Sequence, residues 1–136
     1  VTRSDVRAAQ DATPDRRWRI LVDDGEWLGD PWPAIGSAKV VIAWAGQNSV
    51  ADLAVAGARA VVIPQPRPFR EQVVTGEALT AAGLALVQPT WPAAESWGPL
   101  LDRAESSTPD WYRWRTDGAA GRAADAILTV ARRWPR

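Results

Sequence analysis

Val40-Val41-Ile42-Ala43-Trp44-Ala45-Gly46-Gln47-Asn48-Ser49 is the stretch on which the fold turns. Its first five residues are apolar without a break, the pattern of a strand covered on both faces, as strands of parallel sheets are. Gly46 then marks a turn, and Val50, Leu53, Ala54 and Gly57 follow at helical spacing. A second apolar run, Ala60-Val61-Val62-Ile63, ends at Pro64. Strand, helix and strand in that order make a crossover unit, and a crossover unit makes the two strands parallel.

Working outward, the same alternation continues on both sides. Upstream, residues 4–12 read as a helix capped by Ser4, and Trp18-Arg19-Ile20-Leu21-Val22 reads as a short strand stopped by Asp23-Asp24-Gly25. Asp30-Pro31 opens a one- or two-turn helix through Ile35. Downstream, a proline-rich loop leads into a helix over residues 69–82 ended by Gly83, then a strand over 84–87. Helices follow over 96–104, briefly after Thr108-Pro109-Asp110, and over 119–134. The expected fold is α/β, a Rossmann-like doubly wound parallel sheet, with residues 1–136 forming one domain.

Composition narrows the chemistry. Apolar residues are 46% and charged residues 24% of the chain, ordinary for a globular protein, and the formal net charge is zero. A neutral chain has no global field to draw in nucleic acid, so no nucleic-acid partner is expected. There is no Cys and no His, which removes disulfides, thiol nucleophiles, histidine bases and His-ligated metals from this polypeptide. The apolar run at 40–44 is far too short to span a bilayer. Basic charge is carried by 15 Arg against a single Lys, Lys39, which reads as codon bias. The sequence starts at Val1 and contains no Met, so it reads as a processed, excised or incompletely represented piece.

Ligands of open α/β sheets bind beyond the carboxyl ends of the strands. At the first such end, Gly46 lets a backbone approach, and the amides of Gln47, Asn48 and Ser49 lie at a helix start suited to a diphosphate. The alternative is a plain helix capped by Asn48 or Ser49. Asp52, about one turn on, can accept hydrogen bonds from two vicinal hydroxyls such as a ribose presents, or simply offset the helix dipole. At the next strand end, Glu71 and Gln72 can bind sugar hydroxyls, or stand as solvated helix residues.

Taken together, A-G-Q-N-S-x-x-D-L-A-x-x-G, a buried strand ending in Pro, and P-R-P-F-R-E-Q resemble the C-terminal domain of family 28 glycosyltransferases, the donor half of a GT-B fold. The similarity runs from about Trp18 to Val87. The resemblance implies that Gly46, Gln47, Asn48 and Ser49 meet the donor diphosphate, that Asp52 stands where the family has a Glu on the ribose, and that Glu71 and Gln72 read the donor sugar. It also implies that Trp27 and Leu28 line a uracil slot. The donor expected is a UDP-sugar, with no cofactor and no metal, because helix-end amides neutralise the leaving diphosphate.

Two departures from the family pattern stand out. The family's first strand and its glycine-rich turn are missing, and in the family's sheet that strand lies centrally, between the stretches 18–22 and 40–44. The acceptor-binding N-terminal domain, which supplies the catalytic base, is missing too. The expected partner is therefore such a domain or a separate acceptor subunit. A non-catalytic nucleotide- or partner-binding module is the alternative from another class; a dehydrogenase is disfavoured because no G-x-G-x-x-G follows a strand.

The tryptophans divide by position. Trp44 reads as core or pocket wall, and Trp91 and Trp97 as packing. Trp111-Tyr112-Arg113-Trp114-Arg115 and Arg132-Arg133-Trp134 form a cationic, amphipathic set. It suits either docking against the absent domain or contact with an anionic membrane surface. The expected location is cytoplasmic, with peripheral contact at the inner membrane surface as the variant.

Overall fold

The computed structural model describes residues 1–23, 26–27 and 29–133, with side chains left aside at 22–23 and 26–27. Helix α1 (Arg3–Asp11) begins earlier than expected because Thr2, not Ser4, caps it. Thr2 Oγ1 accepts from the Asp5 amide at 3.2 Å, and the Thr2 amide donates back to Asp5 Oδ2 at 2.7 Å. This reciprocal box satisfies two amides that Ser4 alone would leave open.

The strand expected over 18–22 does not form. Residues 17–21 have no regular structure, and only β1 (Val22–Asp23) pairs, antiparallel, with β2 (Glu26–Trp27). The composition Trp-Arg-Ile-Leu-Val favours a strand, but a strand exists only where a neighbour takes its backbone hydrogen bonds. Trp18 is used instead as a packing residue: its Nε1 donates to Thr13 Oγ1 at 2.9 Å, and its ring meets Trp97 edge-on at 5.5 Å. Helix α2 (Trp32–Ser37) follows, with Asp30 Oδ1 accepting from the Trp32 amide at 3.1 Å.

The main sheet has three parallel strands in the order β3-β4-β5. Strand β3 (Val41–Trp44) pairs residue for residue with β4 (Ala60–Ile63), and β5 (Leu86–Val87), shorter than the run at 84–87, flanks β4 on its other side. Side-chain alternation sorts the core into two clusters. Ala60 and Val62 join Val50, Leu53, Leu79 and Leu84, while Val61 and Ile63 join Ala9, Trp97, Leu100, Leu101 and Ala104. Helices α3 (Gln47–Ala56) and α4 (Glu71–Ala81) thus cover one side of the sheet, and α1 and α5 (Trp97–Glu105) the other. This mixed α/β architecture, a parallel sheet flanked by helices, agrees with a partial Rossmann-like domain.

One expectation about the sheet is corrected. All four residues of β4 are buried, but all four of β3 are only half-buried. No strand pairs with the far side of β3 among the described residues, which leaves that edge without backbone partners there.

The crossover helices end alike. Gly57, at φ 61°, closes α3 with the Ala58 amide reaching back to the Leu53 carbonyl at 3.0 Å; after α4, Leu84 reaches Leu79 in the same way. A left-handed residue is needed at such ends, and glycine adopts it without steric cost. Gly76 in α4 answers a different need: a Cβ there would stand 3.0 Å from Pro64 Cγ and 3.1 Å from Val87 Cγ1, so its absence lets α4 lie close on the sheet.

Trp111 is buried, its Nε1 donating to the Ala58 carbonyl at 2.8 Å, and Trp114 packs beside it against the same core. Trp111 is thus part of this domain's core, and Trp114 lies half-buried at its edge. Helix α6 (Ala119–Arg133) has no buried residue, and Ile127, Leu128 and Val130 are exposed on it. Among the described residues no helix is long and apolar enough to cross a membrane.

Candidate functional site

The turn leaving β3 is built around an uncapped helix end. Gly46 is the N-cap of α3 in extended conformation (φ −71°, ψ 146°), and no side chain caps the helix. The first helical bond runs from the Val50 amide to the Gly46 carbonyl at 2.9 Å. The amides of Gln47, Asn48 and Ser49 are thereby left without intrahelical acceptors, at the positive end of the helix. The alternative of a cap from Asn48 or Ser49 does not hold, because the helix starts early enough to place both inside its first turn.

Gly46 is not a glycine for the fold's own sake. Its φ is one any residue adopts, and an added Cβ would meet only Gln72 Nε2 at 3.9 Å and Ser49 Oγ at 4.0 Å, ordinary contacts. The missing side chain keeps a space open whose nearest neighbours are two hydrogen-bonding groups. Gln47 and Asn48 are exposed, Ser49 is half-buried, and Ala45 below the turn is buried.

Asp52 is the sixth residue of α3, half-buried and without an ion pair among the described residues. The helix dipole acts mainly within the first turn, so offsetting it is a weak account of this carboxylate.

Across the turn, the loop leaving β4 is fixed by Gln72, which is only 6% exposed. Its Oε1 accepts from the Gln65 amide at 2.9 Å. With the oxygen so committed, the carboxamide is oriented and its NH2 lies on the side of Gly46. Gln72 is therefore not a solvated helix residue; it bridges the two strand ends. Glu71, beside it in sequence, is exposed, so the two residues do different work.

The same loop holds a feature that sequence reasoning missed. Phe69 (φ 60°) and Arg70 (φ 56°) are consecutive left-handed residues, and neither is glycine. Each such residue costs roughly 1–2 kcal/mol. Phe69 is also 99% exposed. The available signals were its place inside P-R-P-F-R-E-Q and its being the only Phe in the chain.

The remaining expected residues lie elsewhere. The backbone of Trp27 is in β2, and Leu28 falls outside the described residues. Trp44 is half-buried against the cluster that holds Trp97, as wall or core. Trp91 and Trp97 pack at 4.7 Å between ring centres, as read from the sequence. A hollow of about 460 Å3 lined by Pro64, Val73, Gly76, Glu77, Thr80 and Val87 opens beside α4, but it is largely apolar and includes no part of the Gly46 turn.

An ion-pair cluster steadies the sheet from outside the site. Glu105 on α5 takes Lys39 Nζ at 2.8 Å and also Arg16, which in turn reaches Asp102. Hydrogen bonds from Lys39 and then Arg16 hold the Glu105 carboxyl below the ordinary carboxylate range.

Comparison with known proteins identifies the segment carrying this turn. Residues 32–90 match the model of the Glycosyltransferase family 28 C-terminal domain, in agreement with the resemblance read from the sequence. The match contains Gly46, Gln47, Asn48, Ser49, Asp52, Glu71 and Gln72, while Trp27 and Leu28 precede it. No curated protein and no solved structure matches the chain.

Proposed function

From the family 28 C-terminal segment at residues 32–90, we propose that this chain is the donor-binding half of an inverting glycosyltransferase that uses a UDP-sugar. The observation that carries the reading is the convergence at Gly46: uncapped amides of α3, Ser49 Oγ and the oriented Gln72 amide border one open space. Donors gathered at the positive end of a helix suit a diphosphate.

In this reading an acceptor hydroxyl attacks the anomeric carbon from the face opposite the diphosphate. The bond from that carbon to the diphosphate oxygen breaks as the new one forms, and the proton passes to a base on another body. The departing diphosphate gathers charge where the α3 amides already point, so they stabilise the transition state more than the ground state. Asp52 holds the ribose hydroxyls, Glu71 and Gln72 the sugar, and Trp27 with Leu28 the uracil. No metal is required in this scheme. The base and the acceptor come from an N-terminal domain or a separate subunit. The open β3 edge and the uncovered apolar face of α6 favour a chain that works docked to such a body. In this scheme that body acts at the cytoplasmic side of a membrane, which α6 touches peripherally with Arg132 and Arg133.

Titration with UDP, read by tryptophan fluorescence, tests the reading. Gly46→Ala should fold, within about 1 kcal/mol of wild type, yet bind UDP far more weakly, because the methyl fills the space left for phosphate. Asp52→Ala should weaken UDP more than pyrophosphate. A folded wild-type chain that ignores millimolar UDP would sink the proposal.

A further inference from the structure

Phe69 combines two costly features at one position. Its backbone is left-handed, as is that of Arg70 after it, and its ring is 99% exposed. Folding gains nothing from either, since a glycine would take the conformation without strain and a polar residue would take the exposure. Strained, over-determined residues of this kind gather at ligand clamps.

The surrounding loop is built to hold the residue still. Pro64, Pro66 and Pro68 restrict the backbone before it. The Gln65 amide is held by Gln72 at 2.9 Å, Arg67 Nη2 donates to Gln65 Oε1 at 3.1 Å, and the Arg70 amide donates to the Arg67 carbonyl at 3.2 Å. Arg70 also pairs with Glu77 at 3.7 Å. An aromatic ring on a fixed loop loses little freedom when a ligand covers it.

We infer that Phe69 is a specificity-determining residue that stacks on the hexose ring of the donor, reading the apolar face of the sugar while Glu71 and Gln72 read its hydroxyls. Phe69 stands two residues before Glu71, and Gln72 faces the Gly46 turn, so its loop flanks the sugar end of the proposed site. The inference rests on the proposed donor site.

The test compares UDP with UDP-glucose and UDP-N-acetylglucosamine, using whichever sugar nucleotide the wild-type chain binds more tightly. Phe69→Ala and Phe69→Gly should weaken that sugar nucleotide about three- to tenfold and leave UDP unchanged. Phe69→Tyr should keep wild-type affinity. Phe69→Gly should also raise Tm by a few degrees, because it releases the left-handed strain while losing binding. An unchanged ratio of sugar-nucleotide to UDP affinity in Phe69→Ala overturns the inference and leaves the donor site standing. Equal loss of both ligands also overturns it, since the residue would then only shape the loop. Failure of the wild type to bind UDP removes the donor site itself, and the inference with it.

Discussion

β3 and β4 lie side by side with the same kind of sequence and unlike environments. Val-Ile-Ala-Trp and Ala-Val-Val-Ile are both apolar, both four residues long and paired at every position, yet β4 is buried throughout and β3 only half-buried. The helices on either side do not explain this, because β3 has Val41 and Ala43 against one core cluster and Ile42 and Trp44 against the other. The difference is lateral: among the described residues β4 has a strand on each side and β3 on one. An apolar strand left at an edge is a template for pairing, and here it stands beside the candidate site.

Amide hydrogen exchange gives the largest expected contrast. The Val41 amide donates to the Arg59 carbonyl at 2.8 Å, so by alternation the amides of Val41 and Ala43 face β4 while those of Ile42 and Trp44 face the open edge. The amides of β4 should exchange only on global opening. Those of Ile42 and Trp44 should exchange faster by about a thousandfold or more, if the domain has ordinary stability. Strong protection at Ile42 and Trp44 in the isolated chain would mean that something already covers the edge. Protection that appears only on adding an acceptor domain would identify what does.

Truncating matched isoleucines gives the next effect. Ile63 is 2% exposed, and Ile63→Ala should cost about 2–5 kcal/mol in denaturant unfolding. Ile42→Ala, on the same face of the sheet, should cost clearly less, because water already reaches Ile42. Equal losses would show that the open edge leaves the packing of β3 undiminished.

The same contrast explains what the sequence made legible. Both strands, the crossover helix and the Gly46 turn follow from apolar runs and turn residues, which are local signals. The exposure of β3 is not local: it depends on a neighbour, and so does the failure of Trp18 to Leu21 to become a strand. Trp111 and Trp114 were within reach, since residues three apart share a face in a helical turn and an indole N–H can close the end of α3, as that of Trp111 does. The bridge from Gln72 to Gln65 depends on how a proline-rich loop folds back, and the left-handed Phe69 contradicts residue preference outright. Residue preference fails at the loop where the candidate site is built, as expected of strained functional positions.

The smallest effect concerns the N-terminal end of β3, which Lys39 ties to α5 through Glu105. Hydrogen bonds from Lys39 and Arg16 lower the Glu105 pKa in the folded chain relative to the unfolded one. A depressed carboxyl contributes stability that is present above the unfolded value and is lost as pH falls through the folded one. The loss should thus begin below about pH 4.3. Lys39 is exposed and Glu105 only part-buried, so the contribution is small and screened by salt. Glu105→Gln should lower Tm slightly at neutral pH and flatten the fall in Tm between about pH 4.5 and 3 relative to wild type. Identical acid limbs in the two proteins would place the acid-sensitive tie elsewhere. If the tie does act on β3, the variant should also exchange its Val41 amide faster than wild type at neutral pH, while the amides of β4 stay as they were.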